Sequence, residues 1–372
     1  MLDLEKRSNP YRDDKVIGSC SIFGMMDLRG RCVEGQPVFE AMSNMRERSN
    51  GLGAGFAIYG LYPSRPKDYA FHVMYESAHG KELAEAELAR NFDVVHAEEI
   101  PTNPQDGVTN GPMLWRYFVR PPSEDGVRFQ ELVAREVTRI NTTVKDAYVF
   151  SSAKNMGVFK GVGFPEDIAK FYVLDEYRGY IWLAHGRFPT NTQAWWGGAH
   201  PFSFLDWAVV HNGELSSYGA NKRFVEDYGY RCNFFTDTEV VAYAIDLLVR
   251  RHGLGVEMAC KVLAPPVWVK IDGMPESKKA LYSSLRISYS GLLLNGPFSV
   301  IIGREGEMIG LTDRIKLRPL TAATGNGRLY LASEEAPIRL VDGDLERVWS
   351  PLGGVPVIGR VGQGICYEEE GA

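Results

Sequence analysis

Four short segments carry residue types that can do chemistry: CSIFG (20–24), HGRFPTNT (185–192), HNGE (211–214) and TDTEV (236–240). Cys20 offers a thiol nucleophile. Arg187 offers a planar fork of donors that matches a carboxylate. Asn212 contributes a side-chain N–H and Gly213 a backbone N–H, a two-donor hole for a tetrahedral oxyanion. Asp237 is an anion able to hold an ammonium group. The arginine, asparagine and aspartate follow one another at equal steps of 25 residues. Taken singly, each motif has a structural reading: a core thiol, a loop anchor, an Asn-Gly turn with positive φ, and a Thr-x-x-Glu capping box opening a helix. Taken together they provide for a free amino acid whose side chain ends in an amide. Such a molecule needs a cation for its α-carboxylate, an anion for its α-ammonium, a nucleophile for its amide carbon and donors for the oxyanion. Thr236 can cap the helix while Asp237 binds the ammonium, so the two readings of the last motif are compatible.

The elements that must position these residues read as follows. CSIFGMMDL (20–28) and GAGFAIYGLY (53–62) are apolar strands, and PVFEAMSNMRERS (37–49) places its apolar residues at helical spacing. The character changes after residue 65. FHVMY (71–75), GKELAEAELARNF (80–92) and DVVHAEEI (93–100) read strand–helix–strand, and MLWRYFVR (113–120), VRFQELVAREVTRI (127–140) and DAYVFSS (146–152) repeat that order. This is the order of a ferredoxin-like split βαβ unit, so 66–150 is expected to be an inserted α/β subdomain. Strands return at YIWLAH (180–185) and WAVVH (207–211), and a long helix follows at TDTEVVAYAIDLLVRRHG (236–253). SVIIG (299–303), EMIGLT (307–312) and RLYLAS (328–333) are further strands, with TGNG (324–327) as a hairpin turn.

Composition bounds the function. The chain has 372 residues, 45% hydrophobic and 24% charged, which excludes disordered and collagen-like classes. A net charge of −6 without any run of Lys or Arg argues against non-specific nucleic-acid or anionic-membrane binding. The first 19 residues lack the apolar core of a secretory signal, and a cytoplasmic location is expected. The five cysteines, Cys20, Cys32, Cys232, Cys260 and Cys366, form no C-x2-C pair, so no metal site is expected in this chain. The glycine-rich GLGAGFAIYG (51–60) runs into a strand rather than a helix, which fails the dinucleotide-binding context.

The four motifs, in this order, resemble those of class II (N-terminal-nucleophile) glutamine amidotransferases. The resemblance implies a four-layer αββα sandwich of α+β class, running over 20–365 and interrupted by the 66–150 insertion. It implies Cys20 as nucleophile, Asn212 and Gly213 as oxyanion hole, Arg187 as the ligand of the glutamine α-carboxylate and Asp237 as the ligand of its α-amino group. Thr190 and His200, the latter in GGAHP (197–201), are expected to border the glutamine. LNGPFSVIIG (294–303), DRIKLRP (313–319) and YLASEEAPIRL (330–340) resemble the amidotransferase domain of glutamate synthase. NMGVFKGVGFPEDIAKFY (155–172) and the WWGGAHPF segment look like the separate amidotransferase subunit of archaeal-type, split glutamate synthases. Position 21 is Ser where many relatives have Gly.

In that family the nucleophile's own α-amine is the base. Residues 1–19 are therefore expected to be a leader that is removed, and 366–372 a C-terminal tail. The partner implied is a synthase subunit that carries FMN and iron–sulfur clusters and receives ammonia. No cofactor is expected in this chain. Synthases making N-methylglutamate use similar subunits. A non-catalytic glutamine-binding scaffold, and a papain-like thiol hydrolase pairing Cys20 with His185 or His211, are the competing readings. Residues 187–201 are expected to close over the substrate, with Gly197 and Gly198 as hinges and Trp195 and Trp196 as cover, the alternative being that both tryptophans pack permanently.

Overall fold

The computed structural model describes residues 20–120, 126–188 and 194–367. The leader 1–19, Thr190 and residues 368–372 of the tail lie outside them.

The chain begins on β1 (Ser21–Asp27), every residue of which is buried. At its middle, a Cβ on Gly24 would lie 2.9 Å from the Met308 sulfur of the facing sheet, so the sheets close over this position only because it is glycine. β2 (Val33–Glu34) leads to α1 (Gln36–Asn44), which opens with Pro37 in its first turn and buries Val38, Ala41 and Met42 on one face. β3 (Ala54–Tyr59) follows.

The next block runs β4 (Tyr69–Tyr75), α2 (Ala78–Asn91), β5 (Asp93–Glu99), β6 (Met113–Arg120), α3 (Gly126–Thr143) and β7 (Ala147–Lys154). Its four strands form an antiparallel sheet in the order β5-β6-β4-β7, the ferredoxin-like arrangement of two interleaved βαβ units. Alternation sets its two faces. Phe71 and Val73 share a core with Ala84 and Leu88 of α2 and Val133 and Val137 of α3. Ala70 and Met74 share another with Phe159 of the main body. The inserted sheet is therefore buried on both sides.

The chain returns through β8 (Met156–Gly161), α4 (Pro165–Phe171), β9 (Arg178–Gly179) and β10 (Ile181–Gly186), then β11 (Phe202–Phe204) and β12 (Trp207–Gly213). Helices α5 (Tyr218–Asp227), α6 (Asp237–Asp246), α7 (Val256–Leu263), α8 (Trp268–Asp272) and α9 (Glu276–Ser288) come next, α6 continuing through a π-helical turn at Leu247–Arg251. The rest comprises β13 (Phe298–Arg304), β14 (Glu307–Thr312), β15 (Thr321–Gly325), β16 (Arg328–Ala332), α10 (Ala336–Val341), β17 (Leu345–Trp349), β18 (Val357–Arg360) and β19 (Gly364–Tyr367). The β15–β16 hairpin turns on Asn326 and Gly327, both with positive φ (53° and 72°), as the Asn-Gly pair predicts.

Two antiparallel sheets dominate, β17-β15-β16-β1-β10-β3-β8 and β11-β12-β13-β14-β18-β19. Ala208, Val210, Ile301 and Met308 of the second sheet join the core of the first. Their alternates Val209, Val300, Ile302 and Ile309 pack with Val240, Val241 and Ala244 of α6. Helices α1, α4 and α10 cover the outer side of the first sheet. The result is the expected four-layer αββα sandwich. Among the described residues no helix is long and apolar enough to cross a membrane, and no group of three or more His, Cys, Asp or Glu could hold a metal ion.

Candidate active site

The antiparallel register of β1 and β10 pairs Ser21 with Gly186, which sets Cys20 beside the residues that follow β10. The Phe188 backbone N–H donates to the Cys20 sulfur at 3.4 Å. The Cys20 carbonyl accepts from Arg48 Nε at 3.5 Å, and Arg48 is ion-paired with Glu334. Burial pushes the Cys20 thiol above its ordinary pKa. The Phe188 N–H and the charges of Arg187 and Arg318 oppose that rise, and Asp237 reinforces it. In the 372-residue chain the Cys20 nitrogen is a peptide nitrogen, bonded to Ser19, and its lone pair is delocalised into the amide rather than available as a base.

Arg187 is buried at the end of β10. Its N–H donates to Gly53 O at 2.8 Å, and its carbonyl accepts from the Ser49 hydroxyl at 3.2 Å. Burial pulls the guanidinium below its usual pKa, with Cys20 and Asp237 acting the other way, so all three share one electrostatic environment. Asn212 and Gly213 end β12 in the other sheet. Gly213 has φ 142°, and a Cβ there would lie 1.9 Å from the Pro297 carbonyl oxygen, so no other residue fits. Asn212 is fully buried, and its Nδ2 donates to the Ser333 hydroxyl at 3.3 Å. That same hydroxyl accepts from the Ile22 N–H at 3.1 Å, which ties Asn212 to the strand that follows Cys20. A second tie between the sheets is the His185 Nε2 contact to the His211 carbonyl at 3.0 Å.

Asp237 opens α6 with Thr236 as N-cap, as the motif predicts. Its Oδ2 accepts from the Leu215 N–H at 2.8 Å, and its Oδ1 lies 3.4 Å from His211 Nδ1. Burial alone would raise its pKa, yet His211, the Leu215 N–H and the Thr238 hydroxyl hold it below the usual carboxylate range. Asp237 thus stays an anion. Glu239 departs from the capping box. Its carboxylate accepts from the N–H groups of Asn233 and Phe234 at 3.1 and 3.0 Å, tying down the approach to the helix ahead of the cap.

His200 is buried against His185, ring centroids 4.2 Å apart, and its Nε2 lies 3.5 Å from the Thr236 hydroxyl. Burial, then the cations and imidazoles around it, drives its pKa well below the ordinary value, so it is neutral. No imidazole among the described residues is hydrogen-bonded to the Cys20 sulfur, and His185 is committed to His211 and pushed down to about 3 by burial. That arrangement is not a papain-like dyad. The tryptophans also depart from the lid expectation. Trp196 is buried and donates to Thr109 O of the inserted block at 3.0 Å. Trp195 stacks on Phe234 at 5.7 Å and folds over the Gly197–Gly198 turn, where a Cβ on Gly197 would lie 2.1 Å from its ring. Those glycines make room for an indole. Ser333, Arg48 and Lys160 are site neighbours that the motif reading did not assign.

Residues 74–348 match the family model of class-II glutamine amidotransferases, and the chain belongs to that family. It is 53% identical over 354 residues to an uncharacterized protein of Archaeoglobus fulgidus, covering 94% of each chain. It is 29% identical over 198 residues to the glutamate synthase [NADPH] large chain of Bacillus subtilis, a match covering 47% of this chain and 12% of that one. Among solved structures, the glutamine phosphoribosylpyrophosphate amidotransferase of B. subtilis aligns with a TM-score of 0.49 at 17% identity, over 94% of this chain and 49% of the other.

Proposed function

We propose that this chain, once freed of residues 1–19, hydrolyses L-glutamine to L-glutamate and ammonia. The α-amine exposed at Cys20 has an ordinary pKa of about 7.7–8.0, so a useful fraction is neutral near pH 7.5. It takes the thiol proton, and the thiolate attacks the glutamine amide carbon. Asn212 and Gly213 hold the oxyanion, with Arg187 and Asp237 holding the α-carboxylate and α-ammonium. The C–N bond breaks, ammonia leaves with the proton, and a γ-glutamyl thioester remains. Water then attacks the thioester, releasing glutamate and restoring the thiol. The observations that carry this reading are geometric: the N–H of Phe188, next to Arg187, donates to the Cys20 sulfur, and the Ser333 hydroxyl accepts from both Asn212 and Ile22 of β1.

The proposed destination of the ammonia is a separate synthase subunit carrying FMN and iron–sulfur clusters. A glutamate synthase is favoured by the segments shared with its amidotransferase domain, with an N-methylglutamate synthase as the alternative. One observation favours a second reading for the unprocessed chain. Its raised thiol and peptide-bonded nitrogen suit a glutamine-binding scaffold without turnover. N-terminal sequencing of glutaminase-active protein is the test. The active species is expected to begin at Cys20, and full activity from a chain beginning at Met1 overturns the assignment.

A further inference from the structure

Lys160 lies inside the protein, 2% exposed, on β8. Its Nζ donates to the Gly197 carbonyl at 2.9 Å and sits 4.2 Å from the Phe202 ring centroid and 5.6 Å from that of Phe234. Gly197 lies in the turn that leads to His200. Phe234 belongs to the opposite wall, where its N–H and that of Asn233 are held by Glu239. That wall contains Phe235, which has φ 55° and no glycine to make it easy. A left-handed turn at a bulky residue persists only where its surroundings hold it. Trp195 covers both walls, folded over Gly197 and stacked on Phe234. Lys160, Glu239, Phe202, Phe234 and Tyr243 line one enclosed cavity of about 10 Å³, room for a single water and for no substrate.

We propose that Lys160 is a positioning residue of the glutamine site: with Glu239 it braces the Gly197–His200 turn against the Asn233–Thr236 turn that presents Asp237. The inference rests on the glutamine reading for its effect on substrate, and on geometry alone for the brace. The titratable groups facing Lys160 are Glu239 of α6, Arg187 after β10 and the neutral His200 of the braced turn. Burial brings the lysine down to about 7 and, separately, brings Glu239 up to about 7, so the pair changes its charge in the neutral range.

The test uses Lys160→Met and Glu239→Gln in the processed chain, with two readouts. The first is amide hydrogen exchange over 195–200 and 233–237. Each variant is expected to speed exchange about tenfold or more in both segments, including the one its residue does not touch. The second is glutamine kinetics. Loss of a hydrogen bond to a charged group corresponds to about ten- to a hundredfold, expected in KM with kcat nearly unchanged. The KM–pH profile of the unaltered chain is expected to bend near 7, and that of the double variant Lys160→Met, Glu239→Gln to be flat there. If Lys160→Met does not fold, Glu239→Gln alone decides, through exchange at 195–200. Exchange confined to each residue's own segment, or an unchanged KM, overturns the brace. Cross-segment exchange in a chain that binds no glutamine leaves the brace standing and overturns the glutamine reading instead.

Discussion

Replacing Asn212 with alanine separates chemistry from folding. The side chain is fully buried, yet its hydrogen bonding is modest: Nδ2 reaches Ser333 at 3.3 Å, and Oδ1 has no hydrogen-bond partner among the described residues. Removing it costs one hydrogen bond of about 0.5–1.5 kcal/mol and also removes a buried acceptor that nothing satisfies. The two partly offset, so the melting temperature is expected to fall by less than about 4 °C. Turnover is expected to suffer far more. In the proposed mechanism it removes one of two donors to the oxyanion, worth about 10²–10³ in kcat. That charge exists only in the tetrahedral intermediate, so KM for glutamine should stay within about threefold. The assay is steady-state glutamate production by the processed chain beside a thermal melt of the same preparation. A raised KM with intact kcat, or a melting temperature lowered by about ten degrees or more, would make HNGE a structural turn and withdraw the oxyanion role.

Arg187→Ala removes charged contacts used in ground and transition states alike, so KM should rise about a hundredfold or more, with Arg187→Lys restoring only part because an ammonium is not a fork. Asp237 has a folded pKa below its ordinary value. Its ionised form therefore contributes stability above about pH 3.9, lost as pH falls through the folded value. In a Lys160→Met, Glu239→Gln background, which removes the pair that titrates near 7, KM for glutamine should accordingly be flat from pH 8 to about 5 and climb only below about 4, and a climb that begins near pH 6 speaks against the assignment. Cys20 in the leader-bearing chain should react with iodoacetamide at least about tenfold more slowly at pH 7 than in the processed chain, because its thiol is raised by burial and has no adjacent base. Equal rates would show that the α-amine does not activate the sulfur.

The fold was most legible where an apolar run is bounded by turn residues. MLWRYFVR (113–120) coincides with β6, and the Asn-Gly pair placed the β15–β16 turn. β8 escaped that reading. Its sequence, MGVFKG, is buried at every residue, with two glycines and a lysine interrupting any alternation. Lys160 there looks like a solvated charge until Gly197 O and the rings of Phe202 and Phe234 are seen around it. Helix α9 was silent for the opposite reason: none of its residues is buried, so no apolar stripe announces it.

At the candidate site, the residues that stand out in the sequence are those whose chemistry is carried by their own type: a thiol, a guanidinium, an amide and a carboxylate. Residues that act by holding others could not. Ser333 is an ordinary serine in the sequence, and its role appears only when Ile22, 311 residues away along the chain, donates to the same oxygen as Asn212. Glu239 was legible as a helix-capping acid, but the choice of which N–H groups it accepts depends on the left-handed Phe235 that turns the chain ahead of the cap. Gly197 and Gly198 are candidate hinges in the sequence, and the structure adds a packing reason for them, since Trp195 lies where their side chains would be. The motif therefore specifies what each group can do to a substrate, while the long-range register of two sheets decides which groups hold it in place. Substitutions at Ser333, Lys160 or Glu239 should consequently disturb the site without removing any atom that touches glutamine.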